Sequence, residues 1–272
     1  MKKIRLDQMV FDRGLAPSRE RAKTSIMAGL VYVNGQKETK PGTAFPPDAD
    51  IVLRGEAIPY VSRGGLKLEK AVKVFSIDPS GYICADCGAS TGGFTDVLLK
   101  NGAAKVYAID VGYGQLAWQL RQDERVICME RTNVRYLTHE EVPDEIDLAV
   151  MDLSFISLRL ILPAVYGLLK EHGQAVCLVK PQFEAGKGKV GKKGVVRDSA
   201  VHVEVLEDFL AYSREAGFSL LGLDYSPIRG PEGNIEYLAW IEKDGGESVS
   251  PDLEALVAAS HAHHGSDEEE EK

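Results

Sequence analysis

The sequence predicts an α/β protein: a mostly parallel, doubly wound sheet preceded by a small α+β unit. Three observations carry this. From Tyr82 onward, apolar strand-like segments alternate with helical ones, the pattern of parallel strands covered by helices on both faces. A glycine-rich turn, Gly88-Ala-Ser-Thr-Gly-Gly93, joins the first of those strands to a helix. Before them, residues 1–59 read as two short helices followed by a hairpin.

In the first unit, Ile4, Leu6, Met9, Val10 and Phe11 form an apolar helical face. A second helix starts at Pro17 or Ser18 and runs to about Ala28, carrying Arg19, Arg21 and Lys23, and Gly29 stops it. Leu30-Val-Tyr-Val-Asn-Gly35 is a strand entering an Asn-Gly turn, a strong hairpin signal. A Pro- and Asp-rich stretch, 41–50, leads to another strand at 51–53. Residues 54–65 form a Gly/Pro-containing linker that ends in Ser62-Arg-Gly-Gly65, and a helix follows over 66–75.

The larger unit then alternates. Strands are expected at 82–87, 105–110, 126–129, 146–152, 174–180, 219–226 and 236–242, and helices at 94–101, 115–122, 158–171 and 199–216. From about residue 245 the chain turns acidic and polar, so 245–272 is expected to be a partly frayed tail. His261, His263 and His264 there are expected to be solvated rather than metal-bound, and no metal site is expected elsewhere.

Composition limits the function classes. The 272 residues are 44% hydrophobic and 27% charged, enough for one large domain and one small one. The longest charge-free apolar run covers residues 160–169 and contains Pro163, well short of the roughly 20 residues of a spanning helix. The N-terminus Met-Lys-Lys-Ile-Arg-Leu-Asp lacks a signal-peptide core. A cytoplasmic protein without membrane attachment is therefore expected. The four cysteines, including the pair Cys84 and Cys87, are expected to be buried thiols rather than a disulfide or zinc framework.

Net charge is −9, but nine acids against Lys272 in residues 244–272 leave the remainder near neutral. Two stretches are basic. Residues 1–59 hold ten Lys/Arg against seven acids, and 180–197 hold six against Glu184. An acidic total thus does not exclude an RNA partner.

In doubly wound sheets ligands bind beyond the carboxyl ends of the strands, so those ends are where chemistry is expected. The first strand runs into the glycine turn, whose following helix offers free N–H groups to an anionic group. The turn does not spell the dinucleotide fingerprint, which needs glycine at Ser90, and it resembles the first loop of S-adenosylmethionine-dependent methyltransferases. The second strand ends in Asp110, placed to accept hydrogen bonds from a ribose diol. Later strands end in Asp152-Leu-Ser-Phe155 and Lys180-Pro-Gln-Phe183. A lysine ending an apolar strand beside an aspartate is unusual. Desolvation and neighbouring cations could bring it into the range of a base. Lys67 is a candidate cation for that role, and Glu236 in Gly233-Asn-Ile-Glu236 could orient it. The flexible stretch from Glu184 to Arg197 resembles a phosphate-gripping loop more than a Walker loop.

Two resemblances sharpen these expectations. Arg5-Leu-Asp7, Ser18-Arg-Glu-Arg-Ala22, residues 26–29 and Val31-Tyr-Val-Asn-Gly35 resemble the S4-type RNA-binding module. Ser62-Arg-Gly-Gly-Leu-Lys67, residues 86–95, Asp152-Leu-Ser-Phe155, Lys180-Pro-Gln-Phe183 and Gly233-Asn-Ile-Glu236 resemble the TlyA family of rRNA 2′-O-methyltransferases, often labelled haemolysins, whose catalytic domain is FtsJ-like. The resemblance implies an S4-like domain over 1–59, a Rossmann-like FtsJ-type methyltransferase domain over 60–244, and the acidic tail. It implies a Lys-Asp-Lys-Glu catalytic tetrad at Lys67, Asp152, Lys180 and Glu236, with Lys70 a rival for the first position. S-adenosylmethionine is the implied cofactor, held by Asp86, Gly88, Ala89, Ser90, Gly92, Gly93, Phe94, Asp110 and Asp152. The implied partner is ribosomal RNA or a ribosomal subunit, met by Arg5, Arg19, Arg21, Lys23, Arg63, Lys187, Lys189, Lys192 and Lys193, with a cytidine ribose as acceptor.

The competing readings are an RNA-binding protein with an inactive methyltransferase fold and a membrane-active haemolysin. The tetrad speaks against the first, and the lack of a spanning helix or long alternating barrel pattern against the second. Nothing in the sequence bears on oligomeric state.

Overall fold

In the larger unit, four parallel strand pairings place the carboxyl ends of the central strands side by side, and this edge defines the site. A computed structural model describes residues 3–54, 58–186, 188–191, 193–230 and 232–270, with side chains described as far as Gly265. The chain divides into units Met1–Gly65 and Leu66–Lys272.

The first unit contains β1 (Ile4–Arg5), α1 (Leu6–Asp12), α2 (Arg19–Met27), β2 (Val31–Val33), β3 (Gln36–Glu38), β4 (Ala44–Phe45) and β5 (Ile51–Leu53). Ser18 caps α2 by accepting from Arg21 N at 3.2 Å, the expected end-of-helix chemistry. Asn34 and Gly35, with φ of 51° and 81°, make the β2–β3 turn. This is the doubly left-handed geometry that Asn-Gly favours in tight hairpins. β5 pairs on the other edge of β2. Leu6, Val10, Ala22, Ile26, Val31 and Ile51 form the core, whereas Phe11, expected on the same face, is exposed.

A buried carboxylate organises the polar side of this unit. Asp7 is 0% exposed and accepts from Arg5 Nε and Nη2 at 3.0 Å and from Arg19 Nε at 3.2 Å and Nη2 at 3.4 Å. Burial alone would raise its pKa, but the two guanidinium groups hold it below the usual 3.8. Arg5 and Arg19 are about half exposed, so each faces solvent with its head group tethered to Asp7. Arg21 instead donates to the carbonyls of Ile58, Pro59 and Tyr60 within the same unit.

The second unit opens with α3 (Gly65–Val74) and then runs β6 (Ile83–Cys87), α4 (Gly93–Lys100), β7 (Lys105–Asp110), α5 (Trp118–Arg121), β8 (Val126–Glu130) and β9 (Ile146–Met151). It continues through α6 (Leu162–Leu168), β10 (Leu169–Val179), α7 (Pro181–Glu184), α8 (Ser199–Glu215), β11 (Phe218–Tyr225), β12 (Tyr237–Lys243) and α9 (Leu253–Glu270). The seven strands lie in the order β11-β12-β10-β9-β6-β7-β8, and β12 runs antiparallel to both of its neighbours. The central strands are apolar on both faces, as helices on each side require. α8 is capped by Asp198 and buries His202, Val205, Leu206, Phe209 and Tyr212 along one helical stripe. Cys84 and Cys87 are fully buried free thiols whose pKa burial pushes up. Among the described residues, no helix is long and apolar enough to cross a membrane.

Two elements depart from expectation. The helix expected over 158–171 ends at Leu168, and the chain enters β10 at Leu169, which pairs with Ile146 before a bulge near Gly173. Leu168 and Leu169 are both buried, and such an apolar pair suits either element, so only the pairing with β9 decided it. The expected frayed tail is helical as α9, which buries Val257, Ser260 and His264. Its inward stripe is built partly from serine and histidine, which apolar periodicity does not detect. Ser260 Oγ meets Tyr237 Oη at 3.1 Å and His264 Nε2 meets the Ser226 carbonyl at 3.0 Å, so two of the polar groups on that stripe are paired. The tail histidines expected in solvent are therefore partly packed. Among the described residues no group of three or more His, Cys, Asp or Glu is arranged to hold a metal ion.

Asp7→Asn should leave two guanidinium groups facing a neutral amide and destabilise the first unit by about 1–3 kcal/mol at neutral pH. Because the folded pKa of Asp7 is depressed, its contribution is present above about pH 4 and lost as pH falls through the folded value. The wild-type and variant proteins should converge in acid. Hydrogen exchange of the α1 and β2 amides measures this, and equal protection at neutral pH would refute it.

Candidate active site

β9 delivers Asp152 just past its end, and β10 delivers Lys180 just past its own. Because β9 and β10 are adjacent and parallel, the two residues emerge together. Lys180 Nζ lies 2.5 Å from Asp152 Oδ1 and donates to Ser154 Oγ at 3.3 Å. Lys67, one turn into α3, donates to Asp152 Oδ2 at 3.3 Å and to Glu236 Oε2 at 2.7 Å. Glu236 directly precedes β12. Lys67, Lys180 and Glu236 are each 6% exposed or less, so two ammonium groups and two carboxylates form one buried, charge-balanced cluster.

Lys70 is elsewhere. It pairs with Asp224, donates to the Tyr225 carbonyl and lies over the Tyr225 ring. The contacts thus place Lys67, and not its rival, in the cluster. Burial opposes the charge on Lys67, yet the Asp152 and Glu236 carboxylates outweigh it and hold its pKa above the ordinary amine value. Burial likewise would raise the pKa of Asp152, and Lys67 with Lys180 holds it below the ordinary range.

A cavity of about 410 Å³ opens beside this cluster at the carboxyl ends of β6, β7 and β9. Gly88, Ser90, Asp110 and Asp152, all expected cofactor residues, line it. Asp110 accepts from Ser90 N at 2.8 Å and from Gly112 N at 2.7 Å, which holds both carboxylate oxygens in place. Asp86, Ala89, Gly92, Gly93 and Phe94 are not in its wall. Asp86 is fully buried behind it, accepting from Thr95 N at 2.9 Å and Thr95 Oγ1 at 2.6 Å through one oxygen, while Oδ1 has no hydrogen-bond partner. Burial pushes the pKa of Asp86 up to about 7 against the pull of those donors.

Packing within the chain itself also requires two of the turn's glycines. A Cβ on Gly88 would sit 2.7 Å from the Asp152 carbonyl oxygen, and one on Gly92 would meet Leu120 and Leu116 side chains at 2.3 and 2.9 Å. Both have φ near +90°. The chain's own packing and backbone geometry therefore demand glycine there, whatever ligand approaches.

Several site residues escaped the sequence reading. Val111, Gln115, Thr132, Asn133 and Phe155 line the cavity. Gln182 donates to Glu236 Oε1 at 3.4 Å, and a side chain at Gly230 would come within 2.6 Å of that same oxygen. Phe155 is 90% exposed, has φ of 64° and packs on Phe183 with ring centroids 5.1 Å apart. Its motif was visible in the sequence, but its exposure was not. Tyr113 and Tyr136 are also exposed, with Arg131 over the first ring and Arg135 beside the second. No sequence signal of the kind used above marks these two pairs.

The basic candidates are dispersed. Lys189 ion-pairs with Glu204 on α8, Lys193 is exposed, and Lys187 and Lys192 fall outside the described residues. Lys23 pairs with Glu20, and Arg63 is half-buried within the first unit.

Comparison with known proteins agrees with this geometry. The FtsJ-like methyltransferase family model matches residues 60–243 and the S4 domain model residues 4–51. The chain is 49% identical to the Bacillus subtilis protein YqxC, named as an rRNA methyltransferase, over 96% of this chain and 95% of that one. It is 45% identical to the Mycobacterium tuberculosis 16S/23S rRNA (cytidine-2′-O)-methyltransferase TlyA, covering 92% of this chain and 93% of TlyA. A Streptococcus thermophilus protein that carries a hemolysin name has a solved structure matching with a TM-score of 0.80, at 48% identity and 99% coverage of both chains. With its buried Lys-Asp-Lys-Glu cluster beside a cavity at the strand ends, this chain belongs to the FtsJ-like methyltransferase family, in the branch that carries an S4 domain ahead of the catalytic one.

Proposed function

We propose that this protein transfers a methyl group from S-adenosylmethionine to the 2′-hydroxyl of a cytidine ribose in ribosomal RNA. The observation that carries the reading is the Lys67–Asp152–Lys180–Glu236 cluster, in which Asp152 also lines the neighbouring cavity. The relatives named above as rRNA methyltransferases supply the acceptor class.

The cavity suits the cofactor. Its volume falls within the range of small-molecule sites. Asp110 at the end of β7 stands where a ribose diol is held in such sheets. The unpartnered Oδ1 of Asp86 puts negative potential behind it, which favours a cationic ligand. The bound cofactor supplies a methyl group already activated by its sulfonium.

The side chains then divide the remaining work. Lys67 is held charged by two carboxylates, which disfavours it as a base. Lys180, once it has given up its own ammonium proton to solvent, is the group placed to take the 2′-hydroxyl proton, with Asp152 fixing its amine in position. Lys67, held in place by Glu236, helps Lys180 keep Asp152 ionised. Much of the acceleration comes from holding the hydroxyl in line with the methyl carbon. Phe155, exposed at the cavity wall, offers a face for an unstacked base. Arg5 and Arg19, the charged surface of the first unit, offer phosphate contacts.

Lys180→Ala should reduce methyl transfer to ribosomal RNA by roughly 10²–10⁴-fold while cofactor affinity stays within about twofold. Transfer of radiolabelled methyl, with the modified ribose mapped, checks this, and near-wild-type turnover would sink the assignment. Phe155→Ala should raise KM for RNA roughly 5- to 100-fold, the equivalent of about 1–3 kcal/mol of lost stacking. Its effect on cofactor binding should be negligible, and an unchanged KM would count against a base platform.

Asp86 predicts a pH dependence. With a pKa raised to about 7, it is protonated in the free protein below neutrality, and a cationic ligand nearby favours the carboxylate. Cofactor binding should therefore release a proton below neutrality and tighten as pH rises towards about 7, by at most about tenfold per pH unit, levelling off above it. Calorimetry in buffers of different ionisation heat reads the proton, and Asp86→Asn should abolish both effects. The free fold, in turn, should lose stability as pH rises from about 4 towards 7, because the unfolded carboxyl ionises first.

A further inference from the structure

A second cavity, of about 200 Å³, is lined in part by the segment that leads into Glu236. Arg197, Arg229 and His261 line it together with Val196, Gly233 and Ile235. Among the described residues, no carboxylate is in its wall. Ile235 lines this cavity, and the next residue, Glu236, pairs with Lys67 in the cluster.

The walls are held in place. Val196 N donates to Asn234 Oδ1 at 2.9 Å, Asn234 Nδ2 donates to the Gly194 carbonyl at 2.8 Å, and His202 Nε2 meets the Val196 carbonyl at 3.0 Å. These bonds fix the backbone that presents Arg197 at the end of the basic loop. Arg229 donates to the His264 carbonyl at 2.6 Å, which anchors its guanidinium against α9. His261 packs on the His202 ring with centroids 4.9 Å apart, and its Nε2 is buried without a hydrogen bond. The neighbouring acid in sequence, Asp198, accepts from Ala200 N as the α8 cap.

Two guanidinium groups and an imidazole around a small cavity suit a compact tetrahedral anion, because guanidinium donors match phosphate oxygens in pairs. We propose that this cavity grips a backbone phosphate of the substrate RNA, with Arg197 and Arg229 as donors and His261 as the third wall. The proposal rests on the RNA methyltransferase reading above. It extends that reading by assigning a phosphate contact one residue from the cluster, on residues of β12's approach, α9 and the end of the basic loop. Burial and the Arg229 charge hold the His261 pKa below the ordinary value, and a bound anion would oppose that shift.

The test uses the full chain with cofactor bound. The ring resonances of its six histidines are followed by NMR during titration with a ribosomal RNA fragment and, separately, with inorganic phosphate, and His261→Gln assigns the relevant signal. The expected result is that both ligands shift His261 and that RNA displaces phosphate. In Arg197→Glu, an exposed position, the phosphate shift should vanish and RNA affinity should fall about tenfold. The slope of log affinity against log salt should become shallower by about one, as expected for one lost phosphate contact. A His261 signal that moves with phosphate but not with RNA would make this a free-anion site and overturn the proposal. So would a silent His261, an unchanged salt slope, or phosphate binding seen only after removal of residues 267–272, which would mean that the chain's own carboxylates fill the cavity. Methyl transfer is measured on the same samples. Transfer that persists with a silent His261 rejects the phosphate site alone. Absent transfer rejects the RNA methyltransferase reading, and the two titrations still decide the site.

Discussion

Asp152 is shared by two lysines, and the arrangement of the site depends on that sharing. Its carboxylate lies 2.5 Å from Lys180 and 3.3 Å from Lys67, and Lys67 in turn lies 2.7 Å from Glu236. Taken from water, any one of these charges would be costly, and removing one partner of a buried pair typically costs about 3–5 kcal/mol. The cluster is tolerated because two positive and two negative groups balance. That balance obliges α3, β9, β10 and the entry to β12 to converge at one point. The proposed chemistry and the packing requirement thus fall on the same four side chains.

The parallel order of the sheet makes this convergence possible. β9 lies between β6 and β10, so its carboxyl end borders both the glycine turn after β6 and Lys180 after β10. Asp152 therefore takes part in the charged cluster and in the wall of the larger cavity. Its backbone carbonyl also sets the identity of residue 88, because no side chain fits there. A single strand end couples the larger cavity to the charged cluster.

Beyond the cluster, the polar groups of the C-terminal unit form a second layer of support. Tyr237, next to Glu236, meets both His202 and Ser260, which ties β12 to α8 and α9. Gln182 and Gly230 border the Glu236 carboxylate from two other directions. The segment expected to fray thus braces the residue that completes the cluster.

Much of this was legible in the sequence for physical reasons. Strand alternation, the Asn34-Gly35 turn and the Ser18 cap are local properties of the chain, and they were readable without neighbours. Lys180 stood out because a lysine rarely ends an apolar strand. Other features belong to no local stretch. The choice between Lys67 and Lys70 rested on which amine reaches Asp152, and the end of α6 on pairing between β9 and β10. The packing of α9 depended on partners for its serine and histidine stripe, and the exposure of Phe155 on a left-handed backbone held against Phe183. The sequence by itself determined the strands, the turns and the chemical identity of the charged residues. Only the tertiary structure decided which charges share a buried site, because that depends on distances between groups as many as 169 residues apart.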